Sequence, residues 1–403
     1  MSMALVHSKA LSTSIQTNRI IGHIEGSMPG PTVIFFAGIH GNEPSGVFAM
    51  HRVFEQLKGL EASVRGNLYA LAGNLSALAE GKRFHHVDLN RLWTEERMER
   101  IKAGELHLNG KDQDSHEQMT LLGEIERLLN KHEGPFFFFD LHTTSSQTTP
   151  FIFINDTLYN RKLATRYPVP VILGIEESIE GPLLSYINQR GYMAVGYEAG
   201  QHDDAVSIDN HESFAWSSLV HTGLMNASDV PNFNSHQKRL RTGKVGRRRV
   251  YEIRYRCEVT PGDEFEMNPG YRNFQAVHRG EVLAYNRRGP ISANETARVF
   301  MPLYQAQGED GFFLIRGIHP LWLWLSAIAR KWRLEGLLAR LPGISRAEDQ
   351  PHVLTVDIKV ARWLATDIFH LLGYRKKIHK GEQLLFIKRE YDVAGVGEVD
   401  YTV

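Results

Sequence analysis

The imidazole of His40 and the carboxylate of Glu43 stand three positions apart in the glycine-bearing segment Gly38-Ile39-His40-Gly41-Asn42-Glu43-Pro44. Imidazole nitrogen and carboxylate oxygen are ordinary ligands of zinc, and a hydrolytic zinc site uses three protein ligands with a fourth position left for water. The pair reads as half of such a site, with the third ligand coming from elsewhere in the chain. Glycines at 38 and 41 let the backbone bend so that both side chains turn towards one point. The loop alone also admits a second reading, in which His40 caps a helix beginning near Pro44 and Glu43 favours that helix's positive end.

The elements around the loop must place it. Thr32 to Ala37 is a short apolar, β-favouring run, and Val47, Met50, Phe54 and Leu57 follow helical spacing after Pro44, so the loop joins a strand to a helix. Asn67 to Ala72 reads as a second strand. The stretch from Arg83 to Arg91, with His85, His86, Asp88 and Asn90, is too irregular for either period and reads as a site loop. Residues 92 to 118 read as a solvated helix and loop, and a helix from about His116 to Lys131 comes next. The four phenylalanines at 136 to 139 suit a strand covered on both faces, with His142 at its carboxyl end. Met193 to Tyr197 is another apolar run, ending in Glu198. Three runs thus deliver a polar group at their ends, where open α/β sheets bind ligands.

Composition says little about partners and more about the compartment. Lys+Arg and Asp+Glu both number 46, which gives no net pull towards nucleic acid or membrane. The single cysteine, Cys257, excludes an intrachain disulfide and a cysteine-rich metal site and fits a reducing compartment. Residues 1 to 22 lack the apolar core and cleavage site of a secretory signal, so a cytoplasmic protein is expected. Leu321 to Ala329 is too short to span a bilayer, which needs roughly 20 residues.

The expected organisation is α/β: a mixed sheet flanked by helices over residues 1–230, a small mostly-β domain over 231–316, and a mainly helical extension over 317–403. The basic run Lys238, Arg239, Arg241, Lys244, Arg247, Arg248 and Arg249 lacks interleaved aromatics and reads as a solvated linker, with no nucleic-acid partner expected. Tyr251 to Val259 alternates as a half-buried strand, and turn signals near Pro261, Asn268 and Arg288 divide the chain up to about Arg316 into short segments. Residues 319 to 372 read as helical, with the stripe Trp322-Leu323-Trp324-Leu325 expected to dock on the protein's own body, and Lys380 to Arg389 as one closing strand.

As an ordered set, Gly38-Ile39-His40-Gly41-Asn42-Glu43, Asp88-Leu89-Asn90-Arg91, Asp140-Leu141-His142 and Gly196-Tyr197-Glu198 resemble the succinylglutamate desuccinylase and aspartoacylase family of zinc amidohydrolases, over roughly residues 30 to 315. That resemblance implies a zinc-carboxypeptidase-like fold and one zinc ion per chain on His40, Glu43 and His142, with Asp140 behind them. It implies Glu198 as general base and acid, Asn90 and Arg91 as a clamp for a substrate carboxylate, and Arg83 near the scissile carbonyl. Arg190 is a loose counterpart of a further substrate arginine. Tyr304 lies upstream of the place where some members carry a substrate-binding tyrosine, which here offers Phe312 and Phe313. The expected activity is hydrolysis of the amide of an N-acyl amino acid, a small-molecule substrate. A carboxypeptidase would share the metal set and the clamp, and a non-catalytic homologue would keep the fold and bind a small carboxylate. The segment after residue 316 is left to cover the pocket or to build a homo-oligomer.

Overall fold

A computed structural model describes residues 3–106, 112–241, 249–260, 262–305, 307–332, 344–347, 350–357, 374–380 and 383–388. Its centre is an eleven-stranded mixed sheet. The four strands that matter for the site lie side by side in the order Arg65–Ala72, Met28–Ala37, Phe136–Thr144, Met193–Gln201, and all three pairings are parallel. Parallel strands are covered on both faces, which explains the phenylalanine run: Phe137 and Phe139 enter one core with Val33 and Phe35, whereas Phe136 and Phe138 enter the opposite core with Ile34 and Phe36. Every residue of Phe136–Thr144 is buried.

Helix Ser45–Leu57 begins directly after Pro44 and lays Val47, Met50, Val53 and Leu57 on the first of these cores. Two glycines make the strand-to-helix turn. Gly38 has φ +71°, a conformation that L side chains avoid, and a Cβ on Gly41 would lie 2.1 Å from the carbonyl carbon of Ala77. Local sequence therefore dictates a tight loop pressed against the next segment.

Two arrangements in the rest of the chain depend on long-range strand pairing. The β segment after residue 249 does not stand apart from the catalytic sheet. Strand Val250–Glu258 pairs in parallel with Val171–Leu173 and antiparallel with Asp310–Gly317, so the large sheet continues through it to Ala297–Phe300 and Ala276–Val277. The alternation from Tyr251 to Val259 suggested one buried face; within Val250–Glu258 the two buried residues, Tyr251 and Cys257, both belong to it, and Tyr251 with its neighbours Phe274, Phe300 and Phe313 joins the core shared with Phe136 and Phe138. Beyond this shared part, a three-stranded sheet of Glu266–Met267, Val282–Asn286 and Gly289–Ser292 packs over Cys257, Leu283, Val299 and Phe312.

Among the described residues of the tail, strands stand at 344–347 and 350–357, where helical spacing had suggested helix. Helix Pro320–Lys331 is followed by an antiparallel sheet in the order Ile344–Ala347, Gln350–Asp357, Gln383–Lys388, Tyr374–Lys380. In this sheet Val353 stands in register with Ile387 and Val356 with Leu384, so the backbone there is satisfied by cross-strand pairing. The expected helix at 333–343 and 358–372, and the basic residues Lys244, Arg247 and Arg248, lie outside the described residues. Helix Pro320–Lys331 turns its polar side inward: Arg330 Nη2 is 3.0 Å from Asp156 Oδ2, and Arg161 Nη1 donates to Ser326 Oγ at 3.2 Å. Of the stripe, Leu323 packs against the core that holds Val33 and Phe35, whereas Trp322 and Trp324 are 56% and 59% exposed, so it docks in part. Among the described residues no helix is long and apolar enough to cross a membrane.

Phe139, stacked on Phe35 at 5.1 Å and edge-on to Phe214, sits between a central strand and the helical layer. Phe139→Ala is expected to destabilise the fold by about 3–5 kcal/mol. Urea unfolding measures it, and a loss under about 1 kcal/mol would contradict the packing described.

Candidate active site

The register of the parallel strands assembles the site. Leu141 pairs with Ala37 on one side and with Tyr197 on the other, and the next pair along is His142 with Glu198. The loop after Ala37 therefore meets His142 and Glu198 at one edge of the sheet. His40, Glu43 and His142 are buried and offer ligand atoms all within 4.8 Å of one another. His40 Nδ1 lies 2.8 Å from Glu43 Oε1, and His142 Nδ1 lies 3.1 Å from Glu43 Oε2. The backbone N–H of Thr143 also donates to Oε2, at 2.9 Å.

Each imidazole turns its other nitrogen to an acid. His40 Nε2 is 3.1 Å from Asp88 Oδ1, and His142 Nε2 is 2.8 Å from Asp140 Oδ2, a charge contact whose angle falls short of a hydrogen bond. Carboxylates behind ligating histidines fix the ring and raise its basicity. Two imidazoles and a carboxylate with acids behind both rings are a donor set that could hold a metal ion, and the buried donors already converge.

Electrostatics divide the two central carboxylates. Burial alone would raise the Glu43 carboxyl, but His40 and His142 outweigh it and hold Glu43 well below the usual range. Burial disfavours the His142 cation, yet Asp140 and then Glu43 lift its imidazole well above the ordinary value. Protons and a metal thus compete for the same nitrogens. Glu198 moves the other way. It is buried, its Oε2 has no hydrogen-bond partner, and burial, reinforced by Glu43 against the opposing pull of His142, raises its carboxyl to about 8.

Arg83 stands over this group. Its Nη2 is 3.1 Å from Asp88 Oδ2 and 3.0 Å from His40 Nε2, and its Nη1 is 3.3 Å from Glu43 Oε1. Arg91 lines the same cleft, which also takes in Thr143 to Ser146, His202, Leu303, Gln305 and Asp310. Arg91 Nη2 donates to Asp310 Oδ2 at 3.0 Å. Asn90 is not free to turn to a ligand by its carbonyl, because Oδ1 accepts the Leu183 N–H at 2.9 Å and the side chain is buried.

Two expected substrate residues are not brought to the site. Arg190 ends helix Leu183–Gln189 and is aimed away at Glu126, with Nη2 3.2 Å from Oε2, and it does not line the cleft. The hydroxyl of Tyr304 donates to the Asn268 carbonyl at 2.7 Å and accepts the Tyr271 N–H at 3.0 Å, so the ring is tied to the β segment while Leu303 and Gln305 face the cleft. Sequence reading assigned no role to Asp88 or His202. Asp88 was visible two residues before Asn90. His202 comes after Glu198 just past the strand end, and its Nδ1 lies 2.8 Å from Thr143 Oγ1 while Nε2 lies 3.1 Å from Gln305 Oε1. Its position beyond a strand end was the only available signal.

Comparison with known proteins agrees with the geometry. Residues 29–210 match the family model described as Succinylglutamate desuccinylase/Aspartoacylase catalytic domain. A succinylglutamate desuccinylase of Photorhabdus laumondii is 32% identical over 75 residues, which are 19% of this chain and 22% of that relative, so the match spans about a fifth of the relative's length. A solved succinylglutamate desuccinylase/aspartoacylase from Rhodobacter sphaeroides superposes with TM-score 0.53 at 17% identity, covering 78% of this chain and 93% of that one. The succinylglutamate desuccinylase from Vibrio cholerae gives 0.52 at 14% identity, covering 79% and 92%. At those identities the structural likeness concerns the fold.

The raised Glu198 carboxyl has a consequence for stability. An unfolded chain ionises it near 4.5, while the metal-free fold keeps its proton up to about 8. Its contribution is therefore full below the lower value and is lost as pH rises to the upper one. Metal-free Glu198→Gln is expected to gain at least about 2 °C in melting temperature over the parent between about pH 5 and pH 8. Calorimetry at both pH values checks this, and a gap that does not grow with pH would contradict the placement of Glu198.

Proposed function

With residues 29–210 placing this chain in the succinylglutamate desuccinylase/aspartoacylase family, we propose that it hydrolyses the amide bond of a small N-acyl amino acid, using one zinc ion held by His40, Glu43 and His142. The observation that carries the reading is a buried carboxyl with an unpartnered oxygen, Glu198, beside a buried His/Glu/His donor set. A metal site that served structure alone would need no such group. When bound, zinc supplies Lewis-acid chemistry, lowering the pKa of a water to about 7 and polarising a carbonyl.

The chain's own residues do the rest. Glu198 takes the proton of the attacking water and returns it to the departing nitrogen, so that the amine leaves neutral. Arg83, held by Asp88, points its guanidinium at the same cleft and supports the negative charge that develops on the carbonyl oxygen. Asp88 and Asp140 keep the two imidazoles oriented. The walls formed by Thr143 to Ser146 and by Leu303 and Gln305 narrow the approach and limit water around the reacting atoms. Arg91, with Asn90 fixing its loop, meets the part of the substrate distant from the metal. The substrate is a small molecule, with neither nucleic acid nor a membrane span required, and the cytoplasm is the expected compartment.

The test is amine release from a panel of N-acyl amino acids, with C-terminal dipeptides alongside. Activity is expected on the acyl amino acids, to vanish with a chelator and to return with zinc. Glu198→Gln is expected to lower kcat by roughly 10²–10⁴-fold while the bound metal is retained. Release from dipeptides alone would make the chain a carboxypeptidase, and silence of the zinc-loaded protein on every amide would overturn catalysis.

A further inference from the structure

The arginine that faces the far end of the substrate is already occupied. Asp310 opens strand Asp310–Gly317 and stands in register with Glu258 on the neighbouring antiparallel strand, so its position is set by the sheet rather than by a loose rim. Its two carboxylate oxygens are divided between two guanidiniums: Oδ2 accepts from Arg91 Nη2 at 3.0 Å, and Oδ1 accepts from Arg256 Nε at 2.5 Å. The side chains of Arg91 and Asp310 are 16% and 14% exposed, which removes them from most of the screening that weakens surface pairs. Glu309 adds a second acid on the same side, 3.5 Å from Arg91 Nε, although it is largely exposed and weighs less.

Arg83, the other arginine lining the cleft, is also committed, to Asp88 and Glu43. Both guanidiniums that face the cleft therefore have carboxylate partners. A substrate carboxylate arriving at Arg91 must displace a tethered one, which has the advantage of a high effective concentration, and it must do so beside Glu309. Like charges in a half-buried cleft repel, whereas an amide or amine meets unspent acceptor capacity on Asp310 and Glu309.

We infer that Asp310 is a specificity-determining residue that closes the arginine site to dicarboxylates, and that the preferred substrate is an amide whose far end is a hydrogen-bond donor, an amino or carboxamide group, in place of a second carboxylate. This rests on the hydrolase reading for the identity of the substrate, but the charge pairing can be tested by binding alone. The probes are succinate and its monoamide, succinamate, titrated calorimetrically into the zinc-loaded full chain. The two differ only in whether the end remote from the metal carries charge.

The parent is expected to bind succinamate at least as tightly as succinate. Asp310→Asn keeps the shape and removes the charge, and it is expected to tighten succinate at least tenfold while moving succinamate less than threefold. The gain must disappear in the double variant Asp310→Asn with Arg91→Gln, which a general loosening of the fold would not produce. Parent protein that prefers succinate tenfold, or an Asp310→Asn protein with no gain for succinate, overturns the inference. A protein that shows the expected binding pattern yet cleaves no amide rejects the hydrolase reading and leaves the role of Asp310 standing.

Discussion

The carboxylate of Glu43 is the contact on which the site depends. A buried acid is tolerated only when its charge is met, and here the two oxygens are met from different parts of the chain: Oε1 by His40 and Arg83, Oε2 by His142 and the N–H of Thr143. Meeting both requires that the loop after Met28–Ala37 and the end of Phe136–Thr144 lie side by side. The parallel pairing of those strands in register supplies this. The tight glycine turn at 38 to 41 then brings His40 and Glu43 back over the sheet edge.

One strand further along the same edge, the environment of Glu198 is opposite in effect. Glu43 and Glu198 are both buried carboxyls close to His142, but the first is surrounded by cations and donors while the second has an oxygen without any. Two acids whose surroundings push them apart divide the labour in hydrolytic chemistry, one to stay ionised as a ligand and one to carry a proton. The same logic extends outward. Asp88 links Arg83 to His40, and Asp310 links Arg91 to Arg256, so the positive charges around the cleft are balanced before any substrate arrives.

The local chain determines the features that were legible in the sequence. The phenylalanine run could only be a doubly covered strand, Pro44 marked the helix start, and His142 and Glu198 each ended an apolar run, which implied a shared sheet edge. The features that stayed hidden depend on long-range register. Nothing near Arg190 indicates that the end of its helix faces Glu126. Nothing near Tyr304 indicates that its hydroxyl is taken by Asn268 and Tyr271. Asp310 gained meaning only when its strand paired with Val250–Glu258, whose parallel pairing with Val171–Leu173 in turn carries the large sheet past the expected domain boundary. The strands at 344–347 and 350–357 were hidden for the same reason, because their pairing is with each other and with 383–388.

Whether His40, Glu43 and His142 together hold a metal decides how the rest of the site is read. Zinc titrated into chelator-stripped protein, with elemental analysis after dialysis, measures this directly. Binding of one zinc per chain that is retained in Glu198→Gln and lost in His142→Ala is the predicted result. Stoichiometric zinc that survives His142→Ala, or parent protein that takes up none, would contradict it.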